Sequence, residues 1–85
     1  MEIRFKVERM YKFQDSPILK AFVDVAVNDD LIIKGVRVIQ GKRELFVTMP
    51  QEQGKDKRWY DVIRMMRPAV RDELTRIVLE GYHQG

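Results

Sequence analysis

The sequence predicts an α+β domain: an antiparallel sheet of four to five strands followed by a C-terminal amphipathic helix. Three observations point there. Apolar residues recur at alternate positions through much of the first fifty residues, the mark of half-buried strands. Turn-forming clusters interrupt them at Gln14 to Pro17, Asn28 to Asp30 and Gly41 to Glu44. Beyond Pro68 the period lengthens, and Val70, Leu74, Ile77, Val78 and Gly81 fall on one helical stripe.

Each element follows from its residues. Ile3, Phe5, Val7, Tyr11 and Phe13 share one parity, with Glu2, Arg4, Lys6, Glu8 and Lys12 on the other. Arg9 and Met10 break the alternation, which predicts a bulge or a second short strand there. After the Gln14 to Pro17 turn, ILKAFVDVAVN and LIIKGVRVIQ flank Asn28-Asp29-Asp30, the pattern of a hairpin. LFVTM is a fourth strand, ended by Pro50 because proline cannot donate to a ladder. The segment from Gln51 to Arg58 reads as a polar loop, and Trp59 to Ile63 as a short fifth strand.

In the helix, Pro68 suits the first turn, Asp72 and Glu73 lie early where the dipole favours anions, and Gly81 suits the end. Asp72 with Arg76 and Arg76 with Glu80 are i,i+4 pairs of opposite charge, each worth about 0.2 to 0.5 kcal/mol. One helix covers one face of a sheet, yet the strands carry apolar residues on both. Ala21, Val23, Val25 and Val27 oppose Phe22 and Ala26, and Leu45, Val47 and Met49 oppose Phe46. A homodimer that pairs sheets or edge strands is the expected cover.

Eighty-five residues form one domain, 1–85, which buries only about 60 to 65% of its unfolded surface. The chain has no cysteine, which excludes disulfides, thiolate metal sites and cysteine nucleophiles. No run approaches the roughly 18 apolar residues of a membrane span, and the N-terminus is not a signal peptide, so the expected location is the cytoplasm. The single histidine, His83, has no sequence-adjacent catalytic partner, and no phosphate-loop or zinc-protease motif occurs. Asp29 and Asp30 read as turn residues, and Asp24 and Asp61 as strand residues paired to a neighbouring arginine such as Arg37. No catalytic residue, metal, cofactor or small-molecule substrate is expected.

The charge distribution carries more. Residues 1–50 hold nine basic against seven acidic side chains, whereas 55–71 hold six basic, Lys55, Lys57, Arg58, Arg64, Arg67 and Arg71, against Asp56 and Asp61. Clustered cations attract phosphate because their potentials add within a Debye length of about 8 to 10 Å. Trp59 and Tyr60 follow at once, and an exposed ring beside such cations stacks on unpaired bases. The six basic residues are therefore the candidate contacts to DNA or RNA. An ordinary solvated face, or a protein-interaction module, is the competing reading of the same residues.

GVRVIQGKRELFVTMP, Gly35 to Pro50, with Tyr60-Asp61-Val62 and the terminal LEGYH, resembles the SpoVG family, stage V sporulation protein G. There a strand reading I-R-V-I-x-G leads to L-F-V-A-M-P, a basic loop, an R-D-I-type strand and a helix ending E-Y-H. The resemblance runs from about Ala21 to His83. It implies a small dimeric α+β protein of the bacterial cytoplasm, without enzymatic activity, that binds DNA and RNA as a regulator associated with sporulation, septation and virulence genes. The family's DNA contacts are attributed to basic residues directly after the Met-Pro. Here those positions are Gln51, Glu52 and Gln53, the charge resumes at Lys55, Lys57 and Arg58, and a His-Pro after the fifth strand reads Arg64-Met65.

Overall fold

The computed structural model describes residues 2–84. Four strands, β1 (Phe5–Lys12), β2 (Leu19–Val27), β3 (Leu31–Gln40) and β4 (Leu45–Thr48), form one antiparallel sheet in the order β1-β2-β3-β4. Two more, β5 (Gln51–Gln53) and β6 (Trp59–Asp61), pair with each other, and the helix α1 (Pro68–Gln84) packs across the sheet. The α+β architecture with one C-terminal helix is as the sequence predicts. The polar loop is not: Gln51 to Gln53 is a strand, so the segment is a hairpin outside the main sheet.

Three register shifts shape the sheet, one of them at Lys20, which is extra between Leu19 opposite Ile39 and Ala21 opposite Val38. Val7 pairs with Val25 and Arg9 with Asp24, so Glu8 is an extra residue in β1. On the other side of β2, Val23 pairs with Val36 and Val25 with Ile33, so Lys34 and Gly35 oppose Asp24 alone. Gly35 has a φ of 85°, a left-handed conformation that glycine adopts without steric cost. After the β1 bulge it is Met10 that packs on the core, while Tyr11, which shares parity with Phe5, faces solvent. Asn28 and Asp29, with φ of 52° and 61°, make the tight turn between β2 and β3, and Asp30 N–H donates to the Val27 carbonyl at 2.9 Å.

The core lies between the sheet and α1: Ala21, Val23, Val25, Ile33, Val36 and Val38 meet Leu74 and Val78. Val70 and Ile77 are half-buried at its border, as their place on the stripe requires. Gly81 does not end the helix, which continues to Gln84. A Cβ there would lie 3.2 Å from Val7 Cγ2, so the glycine lets α1 approach β1. Lys12 Nζ donates to the Tyr82 carbonyl at 2.7 Å and sits 4.8 Å from its ring centroid, holding the last turn to the sheet edge. Arg76 pairs with Glu73 and Glu80, not with Asp72, which lies 3.6 Å from Arg71. The first helical turn holds no acidic residue.

The other face of the sheet is bare. Phe13 meets Phe22 edge to face at 5.2 Å, and Phe46 and Ile32 lie exposed on the strands beyond. Asp24 sits opposite Arg9 and not Arg37, which faces Phe22 and Thr48, and Asp24 makes no ion pair among the described residues. No helix among the described residues is long and apolar enough to cross a membrane.

Candidate nucleic-acid interface

The β5–β6 hairpin presents the first three candidate cations, and its own residues make it a defined structure. Gln51 pairs with Asp61, Glu52 with Tyr60 and Gln53 with Trp59. At the tip, Lys57 N–H donates to the Gly54 carbonyl at 3.0 Å and Gly54 N–H to the Arg58 carbonyl at 2.8 Å. This is a three-residue loop, a turn closed by a residue in the left-handed region, and that residue is Lys57 with φ of 67°. At the base, Val62 N–H donates to the Pro50 carbonyl at 2.9 Å.

Side chains brace this backbone. Asp56 accepts the Arg58 N–H at 3.0 Å and the Tyr60 hydroxyl at 2.5 Å. The Tyr60 hydrogen bond, then the Arg58 amide, holds the Asp56 carboxyl below the usual carboxylate range, and the same contact raises the Tyr60 phenol. Gln53 Nε2 donates to the Lys57 carbonyl at 3.0 Å, and Gln51 Nε2 to Asp61 Oδ1 at 2.8 Å. Tyr60 lies over Gly54, where a Cβ would come within 2.9 Å of its ring. The sequence reading missed these braces, although an Asp two residues before Arg58 is an Asx-turn signal.

Asp56 and Asp61 are therefore engaged by uncharged partners, Glu52 stands exposed on β5, and Lys55, Lys57 and Arg58 are exposed without an ion pair among the described residues. A carboxylate held by O–H and N–H donors keeps its charge, so the tip is three cations around one anion. Arg64 and Arg71 line a shallow hollow with Met49, Asp61, Ile63 and Met65, beside the hairpin base. Arg67 goes elsewhere. It precedes the first helical residue, its carbonyl accepts from Val70 and Arg71, and its side chain borders a second hollow with Arg4, Glu2 and Glu73. Of the six candidate positions, five follow the hairpin and its base, and Arg67 joins the N-terminal segment through Arg4, which the sequence reading did not include.

The left-handed Lys57 makes a prediction. A non-glycine residue in that region costs about 1 kcal/mol. Lys57→Gly is expected to raise stability by roughly 0.5 to 1 kcal/mol in denaturant unfolding while removing one tip cation. An unchanged or lower midpoint would show that Lys57 is not strained.

Among the described residues no three His, Asp or Glu side chains gather as metal ligands. The hollows beside the cations are shallow, and their polar groups are the arginines and carboxylates already named. The arrangement is suited to binding an anionic polymer: exposed cations on a braced hairpin, two aromatic rings on β6, and arginines leading away from the hairpin base.

The sequence model of the SpoVG family matches residues 1–84. Relatives named "Putative septation protein SpoVG" include one from Fusobacterium nucleatum, 34% identical over 64 residues, which span 75% of this chain and 69% of the relative. The Archaeoglobus fulgidus relative is 30% identical over 76 residues, 89% of each chain. The Lachnospira eligens relative is 29% identical over 76 residues, 89% of this chain and 86% of its own. With β1 to β4, the hairpin and α1 all inside the matched span, the chain belongs to the SpoVG family.

Proposed function

We propose that this SpoVG-family protein is a cytoplasmic, homodimeric regulator that binds DNA or RNA through the β5–β6 hairpin and the arginines beside its base. The observation that carries the reading is the braced tip, where Lys55, Lys57 and Arg58 are free while Asp56 is occupied by Tyr60 and Arg58 N–H. Contacts are mainly to phosphate, since cations on a hairpin tip and beside a helix start carry no base-reading pattern. The protein acts by binding and carries out no catalytic step. The relatives' name ties them to septation, and control of that process is the role proposed for this chain.

The homodimer follows from the bare sheet face. Phe13 and Phe22, in contact, and Ile32 and Phe46 on the neighbouring strands leave exposed apolar side chains on this face that a second copy covers with its own. Two hairpins in one particle double the cationic surface.

Fluorescence anisotropy at low salt, with labelled single- and double-stranded DNA and RNA, tests the reading. Binding in the micromolar range or tighter is expected, and it should weaken on Lys55→Ala, Lys57→Ala and Arg58→Ala together. The absence of binding at tens of micromolar would leave a protein-interaction module of the same fold, the reading that Gln51, Glu52 and Gln53 favour at the positions where the family carries basic residues.

A further inference from the structure

The two aromatic residues of β6 have different surroundings. Neighbours in a strand point to opposite faces, so Tyr60 and Trp59 look out on opposite sides of the hairpin. Tyr60 is spent on the structure: its hydroxyl is bound to Asp56 and its ring lies on Gly54. Trp59 is not. It remains 59% exposed, and its cross-strand neighbour is Gln53, whose side chain is tied to the Lys57 carbonyl. On the same face, two residues along, Asp61 is held by Gln51. The indole thus lies on a short, rigid ribbon among fixed polar groups, next in sequence to Arg58 and close to the Lys57 turn.

We propose that Trp59 is a stacking platform for an unpaired base, so that the ligand class this hairpin selects is single-stranded nucleic acid. The inference rests on the nucleic-acid reading above and deepens it. A large ring left in water at the foot of three free cations matches a chain in which phosphates alternate with exposed π-faces. A duplex offers the same phosphates, but its bases are already stacked and paired, so an indole on a hairpin surface gains nothing from it. Stacking is also tolerant of base identity, in keeping with a surface that lacks a base-edge reading set. The rigidity of the ribbon lowers the ordering cost of binding.

Trp59 is the only tryptophan in the chain, so its emission reports directly on this contact. The experiment titrates the full-length protein with a 15-nucleotide oligothymidylate and, separately, with a duplex of equal length, following tryptophan emission and the anisotropy of labelled nucleic acid together. The oligothymidylate is expected to quench the emission strongly, and the duplex to bind more weakly and leave it almost unchanged. Trp59→Ala should weaken single-strand binding about tenfold or more, with duplex binding unaltered, and Trp59→Phe should retain most of the affinity. The exposure of Trp59 lets both variants fold, which circular dichroism checks. If single strand binds with no change in emission, and Trp59→Ala binds as well as the native protein, the stacking platform is overturned while the nucleic-acid reading stands. If neither single strand nor duplex binds, the nucleic-acid reading itself falls, and this inference with it.

Discussion

Leu74→Ala is expected to remove about 2 to 5 kcal/mol of stability, which in a chain of 85 residues is a large share of the whole. Leu74 is 1% exposed and is the largest fully buried side chain of the core, inserted from α1 among valines of β2 and β3. Truncation leaves a cavity that stiff, β-branched neighbours fill poorly, since each valine has one favoured χ1 and little freedom to lean inward. The melting temperature should fall by roughly 10 to 30 °C on the usual scaling for a domain of this size. Met66 is the internal control: at 94% exposure its replacement by alanine should stay within about 0.5 kcal/mol. Similar midpoints for the two variants would mean that α1 does not pack as described.

Phe22→Glu is expected to change the particle rather than the fold. Phe22 stands on the bare face against Phe13, at 37% exposure, and its neighbours across β2–β3 and β3–β4 lead to Arg37 and Thr48. A carboxylate there must be desolvated if a second copy covers the face, at a cost of several kcal/mol when no partner charge meets it. In the isolated chain it sits in water at little cost. Light scattering should report two chains for the native protein at micromolar concentration and one for the variant, with both retaining the far-ultraviolet spectrum of the folded domain. A native mass of one chain would remove the dimer.

The sequence disclosed most of the main sheet because the signal and the physics coincide there. Ala21, Val23 and Val25 are apolar because they face α1, and they alternate because a strand turns over at every residue. The same logic failed at Tyr11, since parity counts residues and a bulge inserts one. Glu8 shifts the register, Met10 takes the inward position, and the parity break at Arg9 and Met10 was the visible trace. Gly81 misled for a related reason: glycine marks helix ends through its φ, but here it serves close approach to Val7 inside the helix. The hairpin was less legible. Gln51, Glu52 and Gln53 bury no apolar face, so their strand is made by pairing with Trp59 to Asp61 and leaves no period-2 trace. Basic residues show in any sequence, but their division between hairpin and N-terminal segment is a fact of three dimensions. Arg67 is four residues from Arg71 yet borders a different hollow, because the helix begins only at Pro68.

The hairpin's grip on phosphate has its most direct test in the salt dependence of binding. Each phosphate neutralised contributes about 0.7 to the slope of log affinity against log salt for a single strand and about 0.9 for a duplex. For the native protein and the Lys55→Ala, Lys57→Ala, Arg58→Ala triple variant, the slope should be measured by anisotropy across a series of salt concentrations. The account predicts that the variant's slope is shallower by about 2 to 3 for each hairpin engaged. Equal slopes for the two proteins would contradict it.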